Sequence, residues 1–242
     1  MKKVITTLLI FINICLLSYI LYRNELIDNT NKNEINNIVI STPQNVVFEK
    51  VEKKIEIDDW RLLLVNYDNK LPEDFKIELS NIDSTRKFDK RAIGELIQML
   101  QDLKKNGIYN VWVQSAYRSI EYQEGLFNEK INTYMNQGKT REEAETLTLQ
   151  TINRPGTSEH NLGLAVDFNY VNYSFENTKG FKWLQENAEN YGFILRYRKD
   201  KEDITKVDYE PWHWRYVGVE HAKKINELDM CLEEYIDYLE NN

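Results

Sequence analysis

The chain has 242 residues, 42% of them hydrophobic, which suits one domain with a sizeable core plus appendages. Its formal net charge of -8, with no Lys/Arg cluster along one face, gives no support for nucleic-acid binding, and no polybasic patch for anionic lipid is present. Its two cysteines, Cys15 and Cys231, stand at opposite ends of the chain, so no disulfide framework is expected and the core must hold the fold.

Lys2 and Lys3 precede an uncharged apolar segment from Val4 to Tyr22. As a helix it would be roughly 28 Å long, close to the hydrocarbon thickness of a bilayer. Ser18 to Asn24 offers no small-x-small cleavage site, and Phe11-Ile12-Asn13-Ile14 lacks the small residues a lipoprotein site needs before Cys15. Residues 1–23 are therefore expected to be an uncleaved membrane anchor. The lysines before it, with Glu25 and Asp28 after it, place the N-terminus inside and the remainder outside the cell. Residues 24–54, rich in Asn, Ile and Lys, read as a flexible tether, and 55–242 as the globular domain. Secretion is the expectation if the N-terminal segment is cleaved. There are no internal repeats.

Leu62-Leu63-Leu64-Val65 reads as a short strand ended by the turn Asn66 to Asn69. From Asp89 to Asn106 the residues Ile93, Leu96, Ile97, Leu100 and Leu103 fall at helical spacing, with Gly107 as the stop. Ile108 to Gln114 reads as a strand, and Ser119 as the N-cap of a helix from Ile120 to Asn136. Ser115-Ala116-Tyr117-Arg118 therefore sits where a strand ends and a helix begins, a place from which polar side chains reach a cleft. Thr140 to Thr151 predicts another helix, with Glu142 and Glu143 in its first turn. Leu164 to Phe168 reads as a short buried strand. A helix from Lys179 to Asn190 follows, then strands at Phe193 to Tyr197 and Trp214 to Val217, and a helix from Glu220 to Leu239. Short strands after a helical first half predict an α+β fold with helices packed on a small antiparallel sheet.

The chemistry concentrates in two stretches. Ser158 to Asp167 sets His160 and Asp167 seven positions apart around Gly163. A carboxylate ending an apolar run is costly to bury unless a metal or partner neutralises it. In the second stretch, Pro211 pushes Glu210 out of the helical region, and a polyproline path would put Glu210 and His213 on one side. Two imidazoles, one ligating carboxylate and one free carboxylate match a catalytic zinc, whose three protein ligands leave a fourth position for water. His221 is read as a solvated histidine, because the metal has three better candidates. Trp212 and Trp214 are read as packing.

These residues resemble the VanY-type D-alanyl-D-alanine carboxypeptidases, zinc peptidases of the bacterial cell wall. The pattern Ser-x-His-x-x-Gly-x-Ala-x-Asp is matched from Ser158 to Asp167, and Glu-x-Trp-His by Glu210, Trp212 and His213. Ser-x-Tyr-Arg-Ser followed by Gln is matched by Ser115, Tyr117, Arg118, Ser119 and Gln123, and the likeness runs from about Asp58 to Val219. The resemblance implies a D-Ala-D-Ala peptidase/Hedgehog-like fold, one zinc ion on His160, Asp167 and His213, and Glu210 as general base. It further implies that Arg118 stabilises charge at the scissile carbonyl or at the substrate's carboxylate. Ser115, Gln123 and Ser158, with Arg118, would orient the peptide. The implied partner is a peptidoglycan stem peptide that loses its terminal D-alanine, acted on by a monomer. An L,D-carboxypeptidase or a cross-link endopeptidase would use the same site. A non-catalytic zinc module for wall binding is disfavoured by Glu210, since a structural zinc wants four protein ligands and no free base.

Overall fold

The structure is a computed structural model that describes residues 59–242. The expected anchor and tether lie outside the described residues. Among the described residues, no helix is long and apolar enough to cross a membrane.

A two-stranded antiparallel ribbon, β1 (Leu79–Asn81) and β2 (Lys87–Asp89), leads into helix α1 (Ile93–Lys105). Strand β3 (Val113–Ser115) is followed by α2 (Ile120–Asn136) and α3 (Arg141–Leu149). Then come β4 (Ala165–Phe168), α4 (Lys179–Asn187), β5 (Phe193–Leu195), β6 (His213–Tyr216), α5 (Val219–Glu227) and α6 (Leu232–Asn241). The main sheet has the order β3-β4-β6-β5, with every pair antiparallel. The α+β expectation is met.

Side chains alternate across a strand, so the register divides the sheet into two unlike faces. Val166 and Phe168 of β4, with Trp214 and Tyr216 of β6 and Phe193 of β5, join a core filled by Leu96, Met99 and Leu103 of α1 and Phe181 and Leu184 of α4. Asp167 pairs with His213 and Ala165 with Arg215, so the opposite face carries charge. β3 is irregular between Val113 and Ser115: Val113 lies opposite Phe168, but Ser115 lies opposite Asp167. Such an irregularity re-aims a side chain, and here it sends Ser115 to the charged face. Two smaller clusters stand apart, one of Ile194 with Ala222, Ile225, Leu232 and Tyr235, the other of Phe127 and Ile131 against Ala144.

Helix α2 has the expected bounds, and the Ser119 side chain accepts from Tyr122 N. Thr140 and Glu143 form a capping box at the start of α3. Gly107 and Gly192 stop their helices at positive φ. Other expectations are corrected. Leu62 to Val65 is not a strand: Trp60–Leu62 is a 3-10 turn, and the carbonyls of Arg61 and Leu63 accept from buried Arg215 Nη2 rather than from a neighbouring strand. The strand expected from Ile108 shrinks to three residues. The single C-terminal helix is two, broken at Asp229, whose φ is 54°, with Met230 N donating back to Ile225 O. His221 is not solvated, since its Nε2 is 3.1 Å from Asp59 Oδ2 and its Nδ1 is 2.9 Å from Tyr235 Oη. In α1 the buried stripe includes Met99, while Ile97 lies only half-buried, so the apolar face is rotated from the one read in the sequence.

Gly163 links the fold to the site. Its φ of 71° lies in the left-handed region, and its N–H donates to His160 O. A Cβ there would sit 2.4 Å from Ile77 Cδ1, a side-chain tip that can move, whereas the backbone penalty cannot be relieved that way. Gly163→Ala is therefore expected to lower unfolding free energy by about 1–2 kcal/mol, measured by denaturant titration at unchanged m. A loss of only a few tenths would show that the turn relaxes.

Candidate active site

Three neighbouring strands set one row of side chains on the charged face: Ser115, Asp167 and His213. His160 enters from the 3-10 turn Glu159–Leu162, whose N-cap is Ser158, with Ser158 Oγ accepting from His160 N at 3.4 Å. Nδ1 of His160 is 2.7 Å from the carbonyl of Ala116, which can only accept, so Nδ1 carries the hydrogen. Nε2 is left to face Asp167 Oδ2 at 3.2 Å. His213 uses its nitrogens the other way round. Its Nδ1 lies 3.1 Å from Asp167 Oδ1 and 3.6 Å from Glu210 Oε2, and its Nε2 lies 3.4 Å from Glu159 Oε2.

Glu210 reaches the row through a turn. The expected polyproline path is corrected: His213 N donates to Glu210 O at 3.2 Å, so Pro211 and Trp212 are the turn's central residues. The turn still puts Glu210 and His213 on one side.

Arg118 completes the group. Its Nε donates to Ser115 Oγ at 2.9 Å, Nη1 to Gln123 Oε1 at 3.3 Å and Nη2 to Asp167 Oδ2 at 2.6 Å. Its backbone N–H donates to His160 O, and its carbonyl accepts from Asn161 Nδ2. Strand end and metal-side turn are thus stitched together at one residue.

A cation fits here. One ligand atom each from His160, Asp167 and His213 lies within 4.8 Å of the others. Zinc bonds of about 2.0–2.1 Å to nitrogen put neighbouring tetrahedral donors roughly 3.4 Å apart, close to the 3.1 and 3.2 Å separations seen here. Asp167 Oδ1 is buried without a hydrogen-bond partner, since its contact with His213 Nδ1 is not aligned as one. A buried anionic oxygen with a spare lone pair is what a cation satisfies.

Burial pushes the Glu210 carboxyl up to about 8, with Asp167 adding to the rise. Burial, helped by Arg118, pushes His160 down to about 4, so it stands neutral as a ligand should. Burial would also lower His213, but the carboxylates of Asp167 and Glu159 beside its ring prevail and raise it to about 9. Asp167 is held well below the usual carboxylate range, because His160, His213 and Arg118 outweigh its burial. A metal on His213 would compete with a proton for the ring nitrogen that faces Asp167.

A cavity of about 170 Å³ opens over this group, walled by Arg118, Gln123, Ser158, Tyr197, Val171 and Trp212. That is below the roughly 300–1,000 Å³ of sites for drug-sized ligands and suits a short side chain. All the expected metal ligands and Glu210 line it, as do Gln123 and Ser158. Ser115 does not, and its hydroxyl serves Arg118 instead. Gln123 Nε2 donates to Asn153 O, which spends part of its polar capacity on the scaffold. Trp212 both packs and lines the wall, while Trp214 is core. Glu159, Asn161 and Tyr197 escaped the sequence reading. Tyr197, on the chain just beyond β5, sets its ring 4.8 Å from that of His213 at a tilt of 48° and has a buried hydroxyl without a partner. The available signal was Glu159 inside the Ser-x-His pattern, a charge in a segment otherwise destined for the interior.

The family model for VanY, D-alanyl-D-alanine carboxypeptidase, matches residues 85–219. A D-alanyl-D-alanine carboxypeptidase of Enterococcus faecalis is 36% identical over 199 residues, covering 82% of this chain and 74% of the relative. Among solved structures, a VanY variant from a VanB-type resistance cassette in complex with Zn(II) is 39% identical with a TM-score of 0.67, covering 74% of this chain and 99% of that one. VanYB in complex with D-alanine-D-alanine is 39% identical with a TM-score of 0.68, covering 74% and 98%. The LdcB LD-carboxypeptidase is 36% identical with a TM-score of 0.61, covering 72% and 84%. With the three motifs gathered around one cavity and the family model spanning more than half of the residues, this chain belongs to the VanY family of D-alanyl-D-alanine carboxypeptidases.

Proposed function

We propose that the chain removes the terminal D-alanine from peptidoglycan stem peptides, with one zinc held by His160, Asp167 and His213 and with Glu210 as the base. The observation that carries these roles is the convergence of three ligand atoms within 4.8 Å beside a buried carboxylate that is not needed as a ligand. When bound, zinc supplies Lewis-acid polarisation and makes water acidic enough to lose a proton near neutral pH. Glu210 would take a proton from the attacking water as its oxygen bonds to the scissile carbonyl carbon, and would return it to the nitrogen of the departing D-alanine as the C–N bond breaks, so no net proton is consumed within the site. Its buried carboxylate, 3.6 Å from His213 and lining the cavity, is placed for that transfer. Glu210→Gln is expected to keep one zinc per chain by elemental analysis while lowering kcat by about 10²–10⁴. His160→Ala is expected to lose the metal. A Gln variant of near-parental rate would assign the base elsewhere.

The same reading carries the domain outside the cell, where its substrate is, tethered by residues 1–23. The support is the charge-flanked apolar run of the sequence. Fractionation of cells expressing the tagged full-length chain should find it with the membrane; tagged protein only in the medium or cytosol refutes the anchor.

Arg118 supports exopeptidase action. Three of its five N–H groups are engaged by Ser115, Gln123 and Asp167, leaving two for a ligand in the cavity it lines. A forked cation of this kind fits a terminal carboxylate. Arg118→Ala is expected to reduce kcat/KM on pentapeptide stems by about 10² or more, in line with roughly 2–5 kcal/mol for removing the partner of a desolvated charge. Amidating the substrate's terminal carboxylate should cripple the parent and cost the variant far less. Equal penalties would assign Arg118 to the developing oxyanion alone. Product masses from tetrapeptide and pentapeptide stems in the same assay separate D,D- from L,D-cleavage.

A further inference from the structure

Behind His213, away from the cavity, lies a charged cluster for which the reaction as described has no use. Glu159 and Arg196 have fully buried side chains, as does Arg215, and Glu233 stands at the edge. Arg196 Nε donates to Glu159 Oε1 at 2.7 Å, and Arg215 Nη1 lies 3.0 Å from the same oxygen. Arg196 also grips Glu233 with both terminal nitrogens, at 2.8 and 2.6 Å. Arg215 is tied in turn to the carbonyls of Arg61, Leu63 and Tyr216. Two carboxylates and two guanidiniums balance in charge, and the arginines fix Glu159 through Oε1. Its other oxygen, Oε2, points to His213 Nε2 at 3.4 Å.

We propose that Glu159 is a positioning residue that holds His213 in the tautomer and ring orientation presenting Nδ1 to zinc. A carboxylate only accepts, so Nε2 carries the hydrogen towards Glu159, and with zinc bound on the Asp167 side the lone pair falls to Nδ1. That nitrogen is the one facing Asp167 and Glu210. Without Glu159 the ring could rotate or exchange tautomers, and half of those states would aim an N–H at the metal. Partners on the far nitrogen of a ligating histidine raise its basicity and fix its direction. Glu159 also sits next to His160 in the 3-10 turn capped by Ser158. One turn therefore places one ligand directly and a second through a carboxylate. A cluster serving stability alone gains little from buried charge, since apolar groups of like volume often do as well.

The inference rests on zinc binding by His160, Asp167 and His213, and the test separates the two ideas. The full-length chain, labelled with ¹⁵N-histidine and loaded with zinc, should show His213 with metal-shifted Nδ1 and a slowly exchanging proton on Nε2. Glu159→Asp keeps a charge for the arginines but withdraws the oxygen from His213. Glu159→Gln should turn its amide oxygen to the arginines and its NH2 to His213, favouring the wrong tautomer. Chelator competition should give zinc dissociation constants about 10- to 100-fold above the parent for both, with faster Nε2–H exchange in Glu159→Asp. Circular dichroism controls for folding, because a purely structural role would shift thermal stability and leave the histidine spectrum and zinc affinity in place. Ligation through Nε2 in the parent overturns the proposal, as does a folded Asp variant binding zinc within threefold of it. Should neither variant fold, the parent spectrum decides. A parent that binds no zinc rejects the ligand assignment instead.

Discussion

The structure depends on keeping a carboxylate charged in the middle of a sheet. Asp167 is 2% exposed on a strand whose four residues are all buried, and a lone ionised group there would cost many kcal/mol. Its neighbours are arranged around that cost. Arg118 binds one oxygen, the two histidine rings face both, and the remaining unsatisfied oxygen suits a cation. Removing a partner makes that burial costlier, so the fold and the candidate metal site answer to the same constraint.

The sheet achieves this by dividing labour between its faces. One face is an apolar core closed by α1 and α4. The other carries Ser115, Asp167, His213 and Arg215, and it is covered by elements that bring counter-charges: the Glu159–Leu162 turn, the Arg118 loop and α6 with Glu233. Buried charge is tolerated because each group meets an opposite one at hydrogen-bond distance. Elements on this face are set by ion pairing more than by apolar contact. That is why Leu62 to Val65 runs as an irregular segment clasped by Arg215 rather than as a strand.

How much of this was legible in the sequence follows from which periodicity each segment obeys. Helix α2 could be read to the residue because Ser119 is a side-chain cap acting locally. That His160, Asp167, His213 and Glu210 come together could be read because the motifs fix their spacing, and β4 because an apolar run surrounds Asp167. The polyproline path between Glu210 and His213 gave the right juxtaposition for the wrong reason, since a proline turn does the same. The break between α5 and α6 was hidden: Asp229 adopts a left-handed conformation without being glycine, and Cys231 with Glu234 supplies the new cap. Glu159 and Tyr197 could not be placed from the sequence, because their roles arise from contacts between separate segments: Glu159 meets Arg196 and His213, 37 and 54 positions on, and Tyr197 meets His213 across a loop.

Arg118 stands at the point where these constraints meet, and its geometry bears on how catalysis is organised. Its guanidinium is fixed by a hydroxyl, an amide and a carboxylate before any substrate arrives, and its backbone is bonded to the His160 turn. Only 17% of its side chain is exposed, so little conformational freedom is left to lose on binding. A donor fixed in advance and shielded from water stabilises charge better than one that must reorganise. The same guanidinium holds Asp167 at 2.6 Å, so one side chain joins the cavity wall to the carboxylate at the centre of the candidate metal site.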